Sequence, residues 1–226
     1  MRAKSTQTFV RKLLRWYGQH ARDLPWRRTR DPYRVIVSEF MLQQTQVSRV
    51  SQFYPRFLKR FPTLERLASA RPKAVMEAWD GLGYYARAKN LHKLAKTVDG
   101  KLSADPEELI KLPGVGRYTA GAVACFAYEK SVPAVDTNVK RVLERVFQKK
   151  DVWKLAGDIV PKHGKRAWRF NQALMELGAL VCVARSPRCP ECPVRPVCKS
   201  TGALSPRAAR ATRKRPRSSQ RSPGAS

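Results

Sequence analysis

The reading of the fold turns on "LPGVGRYTAGAV", residues 112–123, where a proline and two glycines run straight into a string of small residues. A glycine-rich turn ahead of Thr119, Ala120, Gly121 and Ala122 marks the start of a helix whose small side chains permit close packing. The preceding "DPEELIKL", residues 105–112, opens another helix. Asp105 stands as its N-cap, Pro106 takes the first helical position, and Glu107 and Glu108 occupy the first turn, where the helix dipole favours acids. The result is a helix, a tight turn at Pro113 to Gly116, and a second helix. Gly114 and Gly116 are free to take positive φ and to expose backbone N–H groups where the second helix begins. Such a turn is a seat for a phosphate. Taken alone, the same turn serves as an ordinary connection between helices, and the charge of the chain is what turns the reading toward DNA.

That charge is large. The 226 residues hold 46 Lys plus Arg against 17 Asp plus Glu, a net charge of +29, which calls for a polyanionic partner. At 42% hydrophobic residues the chain still has enough apolar surface to bury a core, in one large domain or two small ones. It contains no run of eighteen apolar residues, and its first twenty lack the apolar core of a signal peptide. The expectation is no membrane association and a cytoplasmic, nucleoid-associated location. Residues 200–226 carry seven basic side chains with no acidic or aromatic ones, the composition of a disordered basic tail that adds solubility or a weak nucleic-acid contact.

The rest reads as helix. "DPYRVIVSEFMLQQTQV" begins with Asp31 as N-cap and Pro32 at the first helical position, and a turn near Thr45 divides the stretch from a second helix carrying Val47, Val50, Phe53, Tyr54, Phe57 and Phe61. Helical patterns also cover Phe9 to Tyr17, Val75 to Trp79, Leu91 to Val98, Val139 to Phe147 and Phe170 to Leu180. "RVIV" is too short, and too close behind a helix cap, to be a strand. The fold class is all-α, with short connections and no internal repeat.

Cysteines supply an independent signal. Cys182, Cys189, Cys192 and Cys198 form C-x6-C-x2-C-x5-C, while Cys125 sits alone in a helix as a core residue. Without a secretion signal, disulfides are disfavoured. Four thiolates within seventeen residues suit a metal, and spacing alone leaves zinc and a 4Fe-4S cluster level.

Together these segments resemble the helix-hairpin-helix DNA glycosylase superfamily, which includes endonuclease III and the MutY-type adenine glycosylases. The resemblance runs from about residue 5 to residue 199. It rests on "LPWR", "SEFMLQQTQV", "GLGYYARAKNLHK", "LPGVGRYTAGAV", "VDTNVKRVL", "FNQALMELGALVC" and the cysteine array. It implies a 4Fe-4S cluster on Cys182, Cys189, Cys192 and Cys198 that holds a DNA-contacting loop, and a hairpin at Gly114 and Gly116 that grips a backbone phosphate, with a monovalent cation bound there. It implies two lobes: a six-helix lobe over 24–132 carrying the hairpin, and a cluster lobe made of 1–23 plus 133–199. Double-stranded DNA with a mismatch is the implied partner, bound by a monomer.

The chemistry of base excision needs carboxylates, and two are placed for it. Glu39 lies among Val35, Ile36, Val37, Phe40, Met41 and Leu42, where burial raises a carboxyl pKa and keeps a proton available for general acid work. The resemblance gives Glu39 the task of protonating the departing adenine. It gives Asp136, in "AVDTNVKRV", the task of stabilising the oxocarbenium-like sugar. Read without it, Asp136 is a helix N-cap and Glu39 a buried structural acid. The base must also leave the duplex, at a cost of lost stacking. Gln44 and Tyr84 match positions that wedge into DNA, and the paired glycines of "GLGYYARA" suit a loop tip. Trp26, Arg27, Leu42 and Glu176 match positions that line or bond the adenine pocket. Lys140, close to Asp136, reads as a phosphate contact that also stands within reach of a product sugar.

Position 118 separates relatives. Bifunctional endonuclease III-like enzymes place a lysine there to attack the sugar, whereas this chain has Tyr118. The implied activity is a monofunctional glycosylase releasing adenine opposite 8-oxoguanine or G. MutY-type enzymes usually continue into a second domain that recognises 8-oxoguanine, whereas this sequence passes into its basic tail, so the implied form is a short one. That departure makes a G·T or G·U mismatch glycosylase for thymine or uracil the alternative. A catalytically inactive iron-sulfur DNA-binding protein is a third reading, against which the retention of Glu39 and Asp136 stands.

Overall fold

The computed structural model describes residues 3–201, and within them every regular element is helical. The basic stretch beyond residue 201 lies outside the described residues. The chain opens with α1 (Ala3–His20), makes a 3-10 turn at Pro25–Arg27, and continues as α2 (Pro32–Leu42) and α3 (Val47–Arg60). Then follow α4 (Leu64–Ala68), α5 (Pro72–Trp79), α6 (Ala86–Thr97), α7 (Pro106–Leu109) and α8 (Arg117–Tyr128). The chain closes with α9 (Thr137–Phe147), α10 (Val152–Ile159), α11 (Gly164–Leu180) and two 3-10 turns at Cys189–Glu191 and Arg195–Val197.

Capping chemistry sets several boundaries. Asp31 accepts from the amides of Tyr33 and Arg34 with Pro32 behind it, and Asp105 accepts from Glu107 N. Seven helices fall between 24 and 132, where the resemblance implied six. The eight-residue α10, capped by Asp151 onto Lys154 N, is a helix absent from the sequence patterns.

Packing brings α2 onto α8, α3 and α6, with α5 and α4 against α6 and α7 against α8. At the other end α11 packs on α1 and α9, and α9 on α10. Small residues make two of these approaches possible. A Cβ on Gly121 would stand 2.4 Å from the Pro133 carbonyl oxygen, and one on Gly178 would stand 2.7 Å from Asn138 Cβ. The "TAGA" string is therefore a packing surface, in line with its composition.

Candidate active site

The site is built where α2, α8 and the start of α9 meet. Glu39 sits in the middle of α2, 4% exposed, and Tyr118, in the first turn of α8, donates its hydroxyl hydrogen to Glu39 Oε2 at 2.7 Å. Burial pushes the Glu39 carboxyl up to about 7; the Tyr118 hydrogen bond and Arg27 oppose that rise, and Asp136 adds to it. Burial also keeps the Tyr118 phenol protonated well beyond its ordinary range, so it remains a donor.

Asp136 reaches this place as the N-cap of α9. Its Oδ1 accepts from Val139 N at 2.7 Å and its Oδ2 from Asn138 Nδ2 at 3.0 Å. The extended segment that delivers it is pinned by Asn171 of α11, which accepts from Ala134 N at 2.9 Å and donates to Val132 O at 3.0 Å. Asn138 in turn accepts from Arg141 Nη2 at 2.7 Å, and Arg141 Nε donates to the Cys182 carbonyl at 2.8 Å. A hydrogen-bonded chain thus runs from Asp136 to the first residue of the cysteine array. Asp136 is a helix cap whose residue also lines the cavity of Glu39 and Tyr118.

Glu39, Tyr118 and Asp136 line one cavity of about 680 Å³. Trp26, Arg27, Leu42, Gln44 and Lys140 line the same cavity. Glu176 does not. It is fully buried behind the wall, gripped by Arg22 Nε at 2.6 Å, Arg22 Nη2 at 3.0 Å and Arg27 Nη2 at 2.6 Å. Burial alone would raise its pKa, but the two guanidiniums outweigh it and hold the carboxyl below its ordinary value. Its geometric task is to anchor Arg27 beside Trp26. Arg22, Gln172 and Met175, none of them singled out in the sequence, also line the cavity. Gln172 and Met175 lie four and one residues before Glu176 on α11, which was the available signal.

The hairpin turn corrects one expectation. Gly114 takes φ +76, with Asn90 and the Phe40 ring so close that a Cβ would approach within 2.8 and 2.9 Å. Gly116, the N-cap of α8, has φ −92 and ψ 175 and uses no left-handed freedom. The turn uses one left-handed residue, and a Cβ at its second glycine would meet only open space. Tyr84 is on a loop tip as expected: it is 60% exposed at φ +49, flanked by Gly81 and Gly83 at φ +89 and +72. It lies outside the cavity lining.

At the C-terminal end, among the described residues, no three His, Cys, Asp or Glu side chains are grouped closely enough to hold a single metal ion. Cys182, Cys189, Cys192 and Cys198 nevertheless line one cavity, with Val142, Val146, Leu177, Val181 and Val194 around them. All four are free thiols, and Arg145 places Nη1 3.5 Å from Cys182 Sγ while its carbonyl accepts from Cys198 Sγ at 3.6 Å. Four thiols lining one cavity beside a guanidinium have the donor chemistry of a metal centre, and Cys182, Cys189, Cys192 and Cys198 are the residues that would hold it. Cys125 is buried, with Asn171 Nδ2 3.2 Å from its sulfur.

A family model described as HhH-GPD superfamily base excision DNA repair protein matches residues 37–161, more than half of the chain. An adenine DNA glycosylase of Mycolicibacterium smegmatis is 47% identical over 191 residues, covering 79% of this chain and 64% of that protein. An adenine DNA glycosylase of Buchnera aphidicola is 39% identical over 209 residues, covering 87% of this chain and 59% of that protein. The chain therefore spans less than two thirds of the length of these curated relatives. Among solved structures, a thermostable thymine-DNA glycosylase superposes with a TM-score of 0.82 at 31% identity, covering 88% of this chain and 97% of that one.

Proposed function

Because the chain belongs to the HhH-GPD superfamily of base excision DNA repair proteins, we propose that it extrudes a mispaired adenine from duplex DNA and hydrolyses its N-glycosidic bond without cutting the strand. The observation that carries this reading is the pair of carboxyls in one cavity with opposite environments. Glu39, buried and pushed up to about 7, is a proton donor at neutral pH, while Asp136, half-buried on a helix N-terminus, faces the same space. In the proposed reaction Glu39 protonates the adenine ring, the bond to the sugar breaks with its electrons going to the base, and the Asp136 carboxylate stabilises the cationic sugar. Water then adds to the sugar carbon and loses its proton to the Glu39 carboxylate. Tyr118 holds Glu39 in place and offers no amine for strand cleavage.

In this reading Trp26, Arg27 and Leu42 form the base pocket, with Glu176 fixing Arg27, and Gln44 and Tyr84 fill the gap left in the duplex. The α8 N-terminus with Gly114 and Gly116 takes a DNA phosphate, together with a monovalent cation, and Lys140 contacts the backbone. Cys182, Cys189, Cys192 and Cys198 hold a 4Fe-4S cluster, which when bound staples the loop they span. The duplex lies between a lobe of residues 24–132 and one of 1–23 plus 133–199. The protein acts as a monomer on mismatched chromosomal DNA in the cytoplasm, at the nucleoid.

Support for adenine comes from the names and identities of the curated relatives, 47% and 39%, against 31% for the thymine-DNA glycosylase structure. The same structure, with its TM-score of 0.82, keeps thymine or uracil opposite G as the second reading. One single-turnover panel separates them: A·8-oxoguanine, A·G, A·C, T·G and U·G duplexes, each followed by alkaline cleavage at abasic sites. Release of adenine from A·8-oxoguanine and A·G is expected. Cutting confined to the T or U strand would establish the second reading instead.

A further inference from the structure

Gln44 and Tyr84 are two of the few non-glycine residues with left-handed backbone, at φ +55 and +49. Such conformations persist only where the surroundings over-determine them. What surrounds both is one side chain. Arg87, in the first turn of α6 and only 7% exposed, has no carboxylate partner among the described residues. Its guanidinium donates instead to carbonyls from two separate segments. Nη1 donates to Phe40 O at 3.0 Å, Met41 O at 2.7 Å and Gln43 O, the last carbonyls of α2 and the residue before Gln44. Nη2 donates to Leu82 O at 3.3 Å and Gly83 O at 3.0 Å, and Nε reaches Tyr84 O at 3.4 Å. The same guanidinium packs over the Trp79 ring at 5.5 Å and the Tyr84 ring at 5.3 Å, and Trp79 Nε1 donates to Gly83 O at 3.2 Å.

A helix C-terminus attracts a cation, because its last carbonyls lack intrahelical donors. That explains half of these contacts. It does not explain why the remaining donors bind the 82–84 loop. A planar fork with five N–H groups is the one side chain able to satisfy carbonyls on both sides at once, and lysine, with three donors on a point charge, cannot reproduce it.

We propose that Arg87 is a positioning residue that joins the Gln43–Gln44 turn and the 82–84 loop into a single rigid wedge, so that Gln44 and Tyr84 enter the duplex together. This rests on the reading of Gln44 and Tyr84 as the residues that fill the DNA gap, given above. Arg87 itself is buried and acts through these two loops. Its effect is to remove the freedom each loop would otherwise lose on binding, which raises the rate and extent of base extrusion.

The test follows 2-aminopurine fluorescence, in place of the target adenine in a duplex opposite G, as the intact protein binds. It uses Gln44→Ala, Tyr84→Ala and Arg87→Lys singly and combined. Arg87→Lys is expected to slow extrusion roughly tenfold, while the pH midpoint of adenine release, set by Glu39, stays unchanged. In the Gln44→Ala, Tyr84→Ala background the same substitution is expected to add less than about twofold, because its route of action is already gone. An equal penalty in both backgrounds, or wild-type extrusion by Arg87→Lys, overturns the proposal while leaving the wedge reading intact. Should Arg87→Lys fail to fold, the coupling of Gln44→Ala with Tyr84→Ala decides it: non-additive effects are expected of one rigid unit, and additive effects overturn it. If neither single alanine alters extrusion, the wedge reading falls, and the role of Arg87 falls with it.

Discussion

Tyr118 donates to Glu39 Oε2 across 2.7 Å, joining the first turn of α8 to the middle of α2. The bond favours the ionised carboxyl and so works against burial, which pushes Glu39 up to about 7. A general acid acts while protonated, so adenine release should fall as pH rises through about 7. Tyr118→Phe removes the opposing bond, and the falling limb should move to higher pH in single-turnover assays. Glu39→Gln should abolish release while mismatch binding survives. The stability consequence has a definite sign. The folded pKa lies above the ordinary 4.5, so the stabilisation is full below that value and is lost as pH rises through about 7. Glu39→Gln should therefore be more stable than the parent at pH 8, by about 3 kcal/mol at most, measured by urea unfolding.

Asp136 has two occupations that one pair of variants can separate. Asparagine keeps an oxygen to accept from Val139 N but loses the second acceptor used by Asn138 Nδ2, so Asp136→Asn should lose less stability than Asp136→Ala, which should lose about 1 kcal/mol. In the proposed reaction both should lose about a hundredfold or more in base release, because both lack the carboxylate charge. Thermal unfolding and single-turnover kinetics on the two variants check this. Equal activity of Asp136→Asn and the parent would leave Asp136 as a cap alone.

Glu176 holds two guanidiniums at 2.6 Å from behind the pocket wall. Glu176→Gln leaves Arg22 and Arg27 facing each other without a counter-charge, at a cost of about 3 kcal/mol by denaturant unfolding. Its carboxyl pKa is depressed, so the stabilisation it provides is present above the ordinary 4.5 and fades as pH falls through the lower folded value. The variant should accordingly show a flatter acid limb of stability than the parent, and a weaker grip on the base through the freed Arg27.

The cysteine array predicts a brown protein with about four irons per chain when expressed with adequate iron. Cys192→Ser should lose DNA affinity before helical circular dichroism changes, since most of the core that joins α1, α9 and α11 is made of apolar side chains other than the thiols. Stoichiometric zinc in iron-replete protein would overturn the cluster.

Much of this molecule was written locally. Asp31 with Pro32, and Asp105 with Pro106, announce helix starts because a cap reaches only two or three residues along the chain. Gly81 and Gly83 announce a loop tip at Tyr84, and four cysteines within seventeen residues announce a shared centre, for the same reason. α4 and α10 lack the Asp-Pro start that announced α2 and α7, and neither was legible in the sequence. The chemical pair Glu39 and Asp136 was legible as residues, through apolar flanks and motif resemblance.

What tertiary structure decided is which distant residues meet. Tyr118 and Glu39 are 79 residues apart, Arg87 and Gln43 are 44 apart, and Arg22 and Glu176 are 154 apart. No pattern along the chain encodes those pairings. They arise when apolar faces of separate helices are buried against one another, and the polar groups carried inside must find partners or be left unsatisfied. So the sequence by itself determined an all-helical, basic chain with a hairpin, a thiol array and two candidate carboxyls. Only packing determined that Tyr118 meets Glu39, that Glu176 stands behind the pocket rather than in it, and that one guanidinium ties two loops together.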